Sequence, residues 1–224
     1  MECPAPSRPS AQDREGLSIS LAVIGVCARD LPPEAADVVI MAGLAGALDP
    51  SLAVGDLIID DWPTGLVLPA GAKRGSIHSA AKIAATPQEK RDCFAQTHAL
   101  AVDMENAAVR EWARRSFQRS SIDASGGGAA RLPSGEMPSG RLGASFGAIR
   151  AISDRADQSL DPVVLRLVDA WGRPRILQIL RTLVVRPALL PHLMRLGADS
   201  KKAAARLGTA CNETVSRMVQ AARC

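Results

Sequence analysis

Two acidic residues stand where chemistry can use them. Glu105 closes the run Ala101-Val102-Asp103-Met104-Glu105, and Asp154 closes Arg150-Ala151-Ile152-Ser153-Asp154. Each follows a short apolar run, so each is expected near a strand end, where α/β folds gather ligands. Two carboxyl groups in one dry pocket can hold different protonation states. One can give a proton to a leaving group, while the other stays ionised and holds a sugar as it becomes cation-like. Breaking a purine N-glycosidic bond asks for that division, and Asp154 and Glu105 are placed to share it. Each residue also has a structural alternative. Glu105 suits the first turn of a helix, where the dipole favours an acid, and Asp154 suits a turn or cap.

Other reactive residues are less telling. Gly43-Leu44-Ala45-Gly46 lets backbone approach a ligand, or simply makes a tight turn after a strand. His78 reads as a base, a phosphate ligand or a loop histidine, while His98 and His192 have helical surroundings and no evident partner. Ser145 lacks the G-x-S-x-G elbow of a serine hydrolase. The five cysteines, Cys3, Cys27, Cys93, Cys211 and Cys224, form no CxxC pair. They read as free thiols of a reducing compartment, with neither a disulfide framework nor a metal site.

These residues need elements to position them. Leu17 to Val26 is apolar and β-branched and reads as a strand, as does Ala36 to Met41, a continuous apolar run buried on both faces. Gly55 to Asp60 is a third strand. Thr86-Pro87-Gln88-Glu89 opens a helix with a capping box. Ala99 to Val102 is a strand, followed by a helix to about Phe117 with Met104, Ala108 and Trp112 on one face. Residues 118–143 hold Gly126-Gly127-Gly128 and many serines, and read as a low-complexity insertion. Ala144 to Ile152 is a strand, and Asp161-Pro162 caps another helix. From Arg173 onward the pattern is helical, broken at Pro187 and Pro191. Strands alternating with helices argue for an α/β sandwich around a mixed, largely parallel sheet. Residues 1–16 read as a disordered tail, 17–172 as the main domain, and 173–224 as a basic helical extension packed on it.

Composition agrees with that scheme. A chain of 224 residues with 47% apolar content fits one sizeable domain. Aromatics are only 3%, with no tyrosine, so aliphatic residues must fill the core. A net charge of +4 is too small to argue for nucleic acid. No leader-like apolar run opens the sequence, and no stretch reaches about 18 apolar residues, so a cytoplasmic protein is expected.

Three segments together resemble the purine nucleoside phosphorylase and nucleosidase superfamily. They are GLAGALDPSLAVGDLIID at 43–60, AVDMENAAV at 101–109 and IRAISDRAD at 149–157. The resemblance implies a three-layer α/β/α sandwich without a cofactor, with inorganic phosphate as co-substrate. It implies Asp154 as the acid at purine N7, with Ser153 orienting it. It also implies Glu105 on the ribose hydroxyls and Met104 packed under the sugar. Gly43, Leu44, Ala45 and Gly46 would wall the reacting carbon and base, and Ile83, in the strand-like HSAAKIAAT segment, would touch the base. Within the superfamily the chain looks most like hopanoid-associated phosphorylases, which release adenine from adenosylhopane. TPQEKRDCFAQTHALAVDMEN at 86–106 and the tail at 175–208 carry that likeness.

The tail also has a physical reading. Leu177, Leu180, Leu183, Val184 and Leu190 alternate with Arg181, Arg186 and Arg195, which suits a peripheral contact with an anionic inner membrane. Packing on the sheet or on a partner subunit is the plainer alternative, and family members are homo-oligomers.

Two departures from the family pattern matter. The relatives carry a glycine-rich phosphate loop or a glutamate on a strand preceding the one matched at 18–26, and neither Glu2 nor Glu15 matches it. One branch places an arginine where Met41 stands, which would leave phosphate to Lys73 or Arg74. A nucleosidase acting on methylthioadenosine or adenosylhomocysteine is therefore the main alternative. A non-catalytic partner of hopanoid enzymes is a third.

Overall fold

The computed structural model describes residues 18–33, 37–124, 145–161, 163, 167 and 175–221. Its strands are β1 (Val38–Ala47), β2 (Leu57–Asp60), β3 (Ala72–Arg74), β4 (Ile77–Ser79), β5 (Ala101–Asp103) and β6 (Ser145–Asp154). Its helices are α1 (Pro87–Thr97), α2 (Asn106–Ala124), α3 (Ile176–Val185) and α4 (Leu190–Ala221). The strands form one sheet in the order β3-β2-β6-β1-β5-β4. β6 lies parallel to β1, β3 to β2 and β4 to β5, while β5 is antiparallel to β1 and β2 to β6.

Side-chain alternation along β6 divides the core. Ala148 and Ile152 point to one face, where Val109 and Trp112 of α2 pack. Ile149 and Ala151 point to the other, where Ala203 and Ala210 of α4 meet Leu57 and Ile59. Val102 points opposite to Ala101 and packs on Cys93 and Phe94 of α1, so α1 shares the α4 side. The result is the three-layer helix–sheet–helix sandwich. Small side chains on α4 let a long helix lie close on the sheet, which suits a core poor in aromatics.

Several elements differ from expectation. Residues 18–24 form no strand, and Leu21 is 96% exposed. Both edges of β1 are already taken by β6 and β5, and an apolar run without a neighbour to ladder with gains little from its β propensity. β1 runs on through Gly43-Leu44-Ala45-Gly46 instead of turning there. α2 begins at Asn106 and buries Val109, Ala113 and Ser116, leaving Ala108 exposed and Met104 off the helix. It continues to Ala124, absorbing the first residues of the expected insertion, whose remainder lies outside the described residues. Most of the helix expected after Asp161-Pro162 also lies outside them, although the Val163 N–H does donate to Asp161 Oδ1 at 2.8 Å. Pro187 separates α3 from α4, but Pro191 breaks nothing. It is the second residue of α4, where a missing N–H costs no hydrogen bond.

Candidate active site

Asp154 owes its position to a bulge. The β1–β6 register runs Ala45 to Ile152 and then Gly46 to Asp154, so Ser153 is an extra residue. Such a bulge re-aims the side chain that follows it. Asp154 turns toward α1 and is 6% exposed. Its Oδ2 accepts from Lys90 Nζ, and its Oδ1 lies 2.9 Å from the Ser153 hydroxyl. That hydroxyl is also 3.2 Å from the Ala45 carbonyl.

Lys90 is the buried residue of α1, with 0% exposure. Besides Asp154, its ammonium donates to the carbonyls of Arg155 at 2.6 Å and Gln158 at 3.1 Å. All three N–H bonds are thereby used. The α1 capping box fixes where the lysine enters. The Glu89 N–H donates to Thr86 Oγ1 at 3.2 Å, and Glu89 Oε2 accepts from the Thr86 N–H at 3.0 Å. The Thr86 and Ala85 N–H groups on Glu89 hold its carboxyl below the ordinary range.

A second charged cluster stays on the α2 side. Buried Arg150 donates from Nε at 2.9 Å and from Nη2 to Asp103 Oδ2, and Nη2 lies 3.5 Å from Glu105 Oε2. Asp103 Oδ1 accepts from the Ser79 hydroxyl at 2.8 Å and from the Asn106 N–H at 3.2 Å. Asp103 thus caps α2, which frees Glu105 from the structural role open to it. Glu105 Oε1 instead accepts from the Cys27 N–H at 3.1 Å. Cys27 and Ala28 sit at φ 59° and 51°, a left-handed turn that non-glycine residues rarely adopt.

The two glycines of β1 are spaces reserved for these charges. Gly43 pairs with Arg150, and a Cβ there would fall 1.8 Å from Arg150 Nη1. Gly46 pairs with Asp154, and its Cβ would fall 3.0 Å from Oδ2. The two positions lie about 10 Å apart along the strand. Gly43 and Gly46 point to opposite faces of β1, so Arg150 with Glu105 lies on the α2 side and Asp154 on the α1 side. Asp154 and Glu105 share no direct bond. Their strands do not end at one edge either, because β5 runs antiparallel to β1 and β6 parallel to it.

The remaining candidates fall around this frame. Met104, half-buried, follows the last residue of β5. Leu44 alternates away from Gly43 and Ala45 and is exposed. Ile83 is also exposed, in the connection between β4 and α1 and not in a strand. Buried Met41 has its Sδ 3.5 Å from Arg150 Nη2. Lys73 is committed to Asp56 at 2.9 Å. His98 serves as the left-handed C-cap of α1. Among the described residues no three His, Cys, Asp or Glu gather as metal ligands.

Lys90, Arg150 and Asp103 were not among the residues singled out from sequence. A charge inside an apolar strand run, as in Phe146–Ile152 or Ala99–Met104, was the available signal, because a buried charge needs a partner. Lys90 left no such signal in its polar helix.

No family model matches the chain, and no curated protein matches it. Solved structures do. The 5′-methylthioadenosine/S-adenosyl homocysteine nucleosidase of Helicobacter pylori is 16% identical, with a TM-score of 0.43 over 81% of this chain and 68% of that one. The futalosine hydrolase of Helicobacter pylori is 16% identical, with 0.38 over 79% and 68%. The S-adenosylhomocysteine nucleosidase of Streptococcus pyogenes, in complex with 5-methylthiotubericidin, is 18% identical, with 0.35 over 55% and 56%. At scores below 0.5 the functional reading rests on this chain's own residues.

Proposed function

We propose that this chain is an enzyme that cleaves a purine N-glycosidic bond and releases adenine. One observation carries the reading. Asp154 is a nearly dry carboxylate bonded both to a hydroxyl and to a fully buried ammonium. Such a pair holds a proton at a fixed point, away from water, as general acid catalysis requires. As the bond from C1′ to N9 breaks, its electron pair passes into the base and N7 takes the proton from the Lys90–Asp154 pair. Glu105, held by Arg150 and the Cys27 N–H, accepts hydrogen bonds from the ribose hydroxyls and stabilises the cation-like sugar. The acceptor oxygen, that of phosphate or of a water that releases a proton to solvent, then bonds C1′, and a proton from solvent restores the pair.

The family resemblance points to adenosylhopane as substrate and phosphate as acceptor. A second reading, hydrolysis of methylthioadenosine or adenosylhomocysteine, is favoured by the cations. Lys73 is paired with Asp56, Lys90 with Asp154, and Arg150 with Asp103, while Met41 replaces the family arginine. The test is adenine release from adenosylhopane and from methylthioadenosine, each with and without phosphate. Release from the lipid that requires phosphate supports the first reading. Phosphate-independent release from the small nucleoside supports the second. Folded protein that releases adenine from neither overturns both and leaves a non-catalytic role.

A further inference from the structure

α3 is an apolar helix that joins no core. None of its described side chains is buried, and none belongs to a hydrophobic cluster. Val184 is 84% exposed, Leu177 78% and Ile176 59%. At about 100° per residue these three fall within about 100° of one another, a single stripe along the helix. Leu190 and Met194, at the start of α4 beyond the Pro187 turn, are exposed as well. A helix that leaves an apolar stripe in water is unusual for a monomeric protein, so the stripe needs a covering.

Charge selects what covers it. Between residues 170 and 198 the sequence has five arginines, at 173, 175, 181, 186 and 195, and no Asp or Glu. Arg175, Arg181, Arg186 and Arg195 are exposed. A second copy of this chain would bring the same positive charge against itself across a two-fold contact. An anionic lipid surface would satisfy the apolar stripe and the arginines together. Length settles how the helix would lie. Ten residues reach about 15 Å, half of a bilayer's hydrocarbon core. No single helix among the described residues is long and apolar enough to cross a membrane.

We propose that α3 and the first turn of α4 dock in the plane of an anionic bilayer, with Ile176, Leu177 and Val184 entering the acyl boundary and Arg181 and Arg186 among the headgroups. The proposal rests on the exposed stripe and the arginines beside it, and does not depend on the activity.

Flotation of the full chain tests it, using vesicles of phosphatidylcholine with and without phosphatidylglycerol. Binding is expected to the phosphatidylglycerol vesicles and to weaken as salt is raised. Leu177→Asp with Val184→Asp should cut binding at least tenfold, and Arg181→Gln about fivefold. These side chains are exposed, so an unchanged circular dichroism spectrum and melting temperature are expected for the variants. No flotation of the folded chain overturns the proposal, as does equal flotation of the double variant. Sedimentation showing a dimer that Val184→Asp dissolves, without vesicle binding, also overturns it and assigns the stripe to a second copy.

Discussion

Lys90 and Asp154 form a buried ion pair between α1 and the end of β6. The lysine gains nothing from water, and its other two N–H bonds hold the 155–158 turn by its carbonyls. The pair therefore fixes both the carboxylate and the turn behind it. Removing one partner of a buried pair leaves the other charge uncompensated, which is costlier than removing both. Lys90→Met should cost roughly 3–5 kcal/mol in urea unfolding, and adding Asp154→Leu should restore part of that loss. Additive losses in the double variant would show that the two residues do not act as a pair.

Asp154→Asn keeps the shape and the Ser153 contact but cannot supply a proton. Adenine release should fall by about 10²–10⁴ in kcat, with KM changing far less. Glu105→Gln should instead act on ribose, and its loss should disappear for substrates lacking the ribose hydroxyls. Steady-state kinetics on ribosyl and deoxyribosyl substrates would separate the roles. Equal loss on both would remove Glu105 from the sugar.

Much of this arrangement was legible in the sequence. The apolar runs at β1, β2, β5 and β6 and the Thr86–Glu89 capping box are local signals, and local physics decided them. What escaped was set by partners distant in the chain. Residues 18–24 have strand chemistry, but β1 is already flanked on both sides by β6 and β5. The GLAG segment looked like a turn because its glycines serve neighbours on β6, 107 or 108 positions away: Arg150 for Gly43 and Asp154 for Gly46. Lys90 was hidden because burial of a lysine depends on where its helix lands.

The Lys73–Asp56 pair gives a pH-dependent prediction. Burial raises the Asp56 carboxyl, but the Lys73 ammonium and the Ala53 N–H outweigh it, holding the group below its ordinary value of 3.8. A carboxyl depressed in the folded state adds stability above its unfolded value, and that stability is lost as pH falls through the folded one. The stability gap between the native chain and Asp56→Asn should be full at pH 7 and shrink steadily below 3.8. Urea midpoints at a series of pH values would show it. A constant gap would mean the carboxylate's charge plays no part.

The two glycines of β1 should respond differently to alanine. A methyl group on Gly43 would overlap Arg150 Nη1, at 1.8 Å, and the guanidinium cannot swing away without abandoning Asp103. Gly43→Ala should therefore lower stability by about 1–3 kcal/mol or more, as overpacking of a tight core does. At Gly46 the methyl would sit 3.0 Å from Asp154 Oδ2, which needs a shift of only a few tenths of an ångström. That shift moves the oxygen bonded to Lys90, so the cost should appear in adenine release before it appears in the melting temperature. Thermal melts and kcat measured on both variants would separate the two effects. If Gly46→Ala melted early and kept full activity, Asp154 would be part of the scaffold rather than of the chemistry.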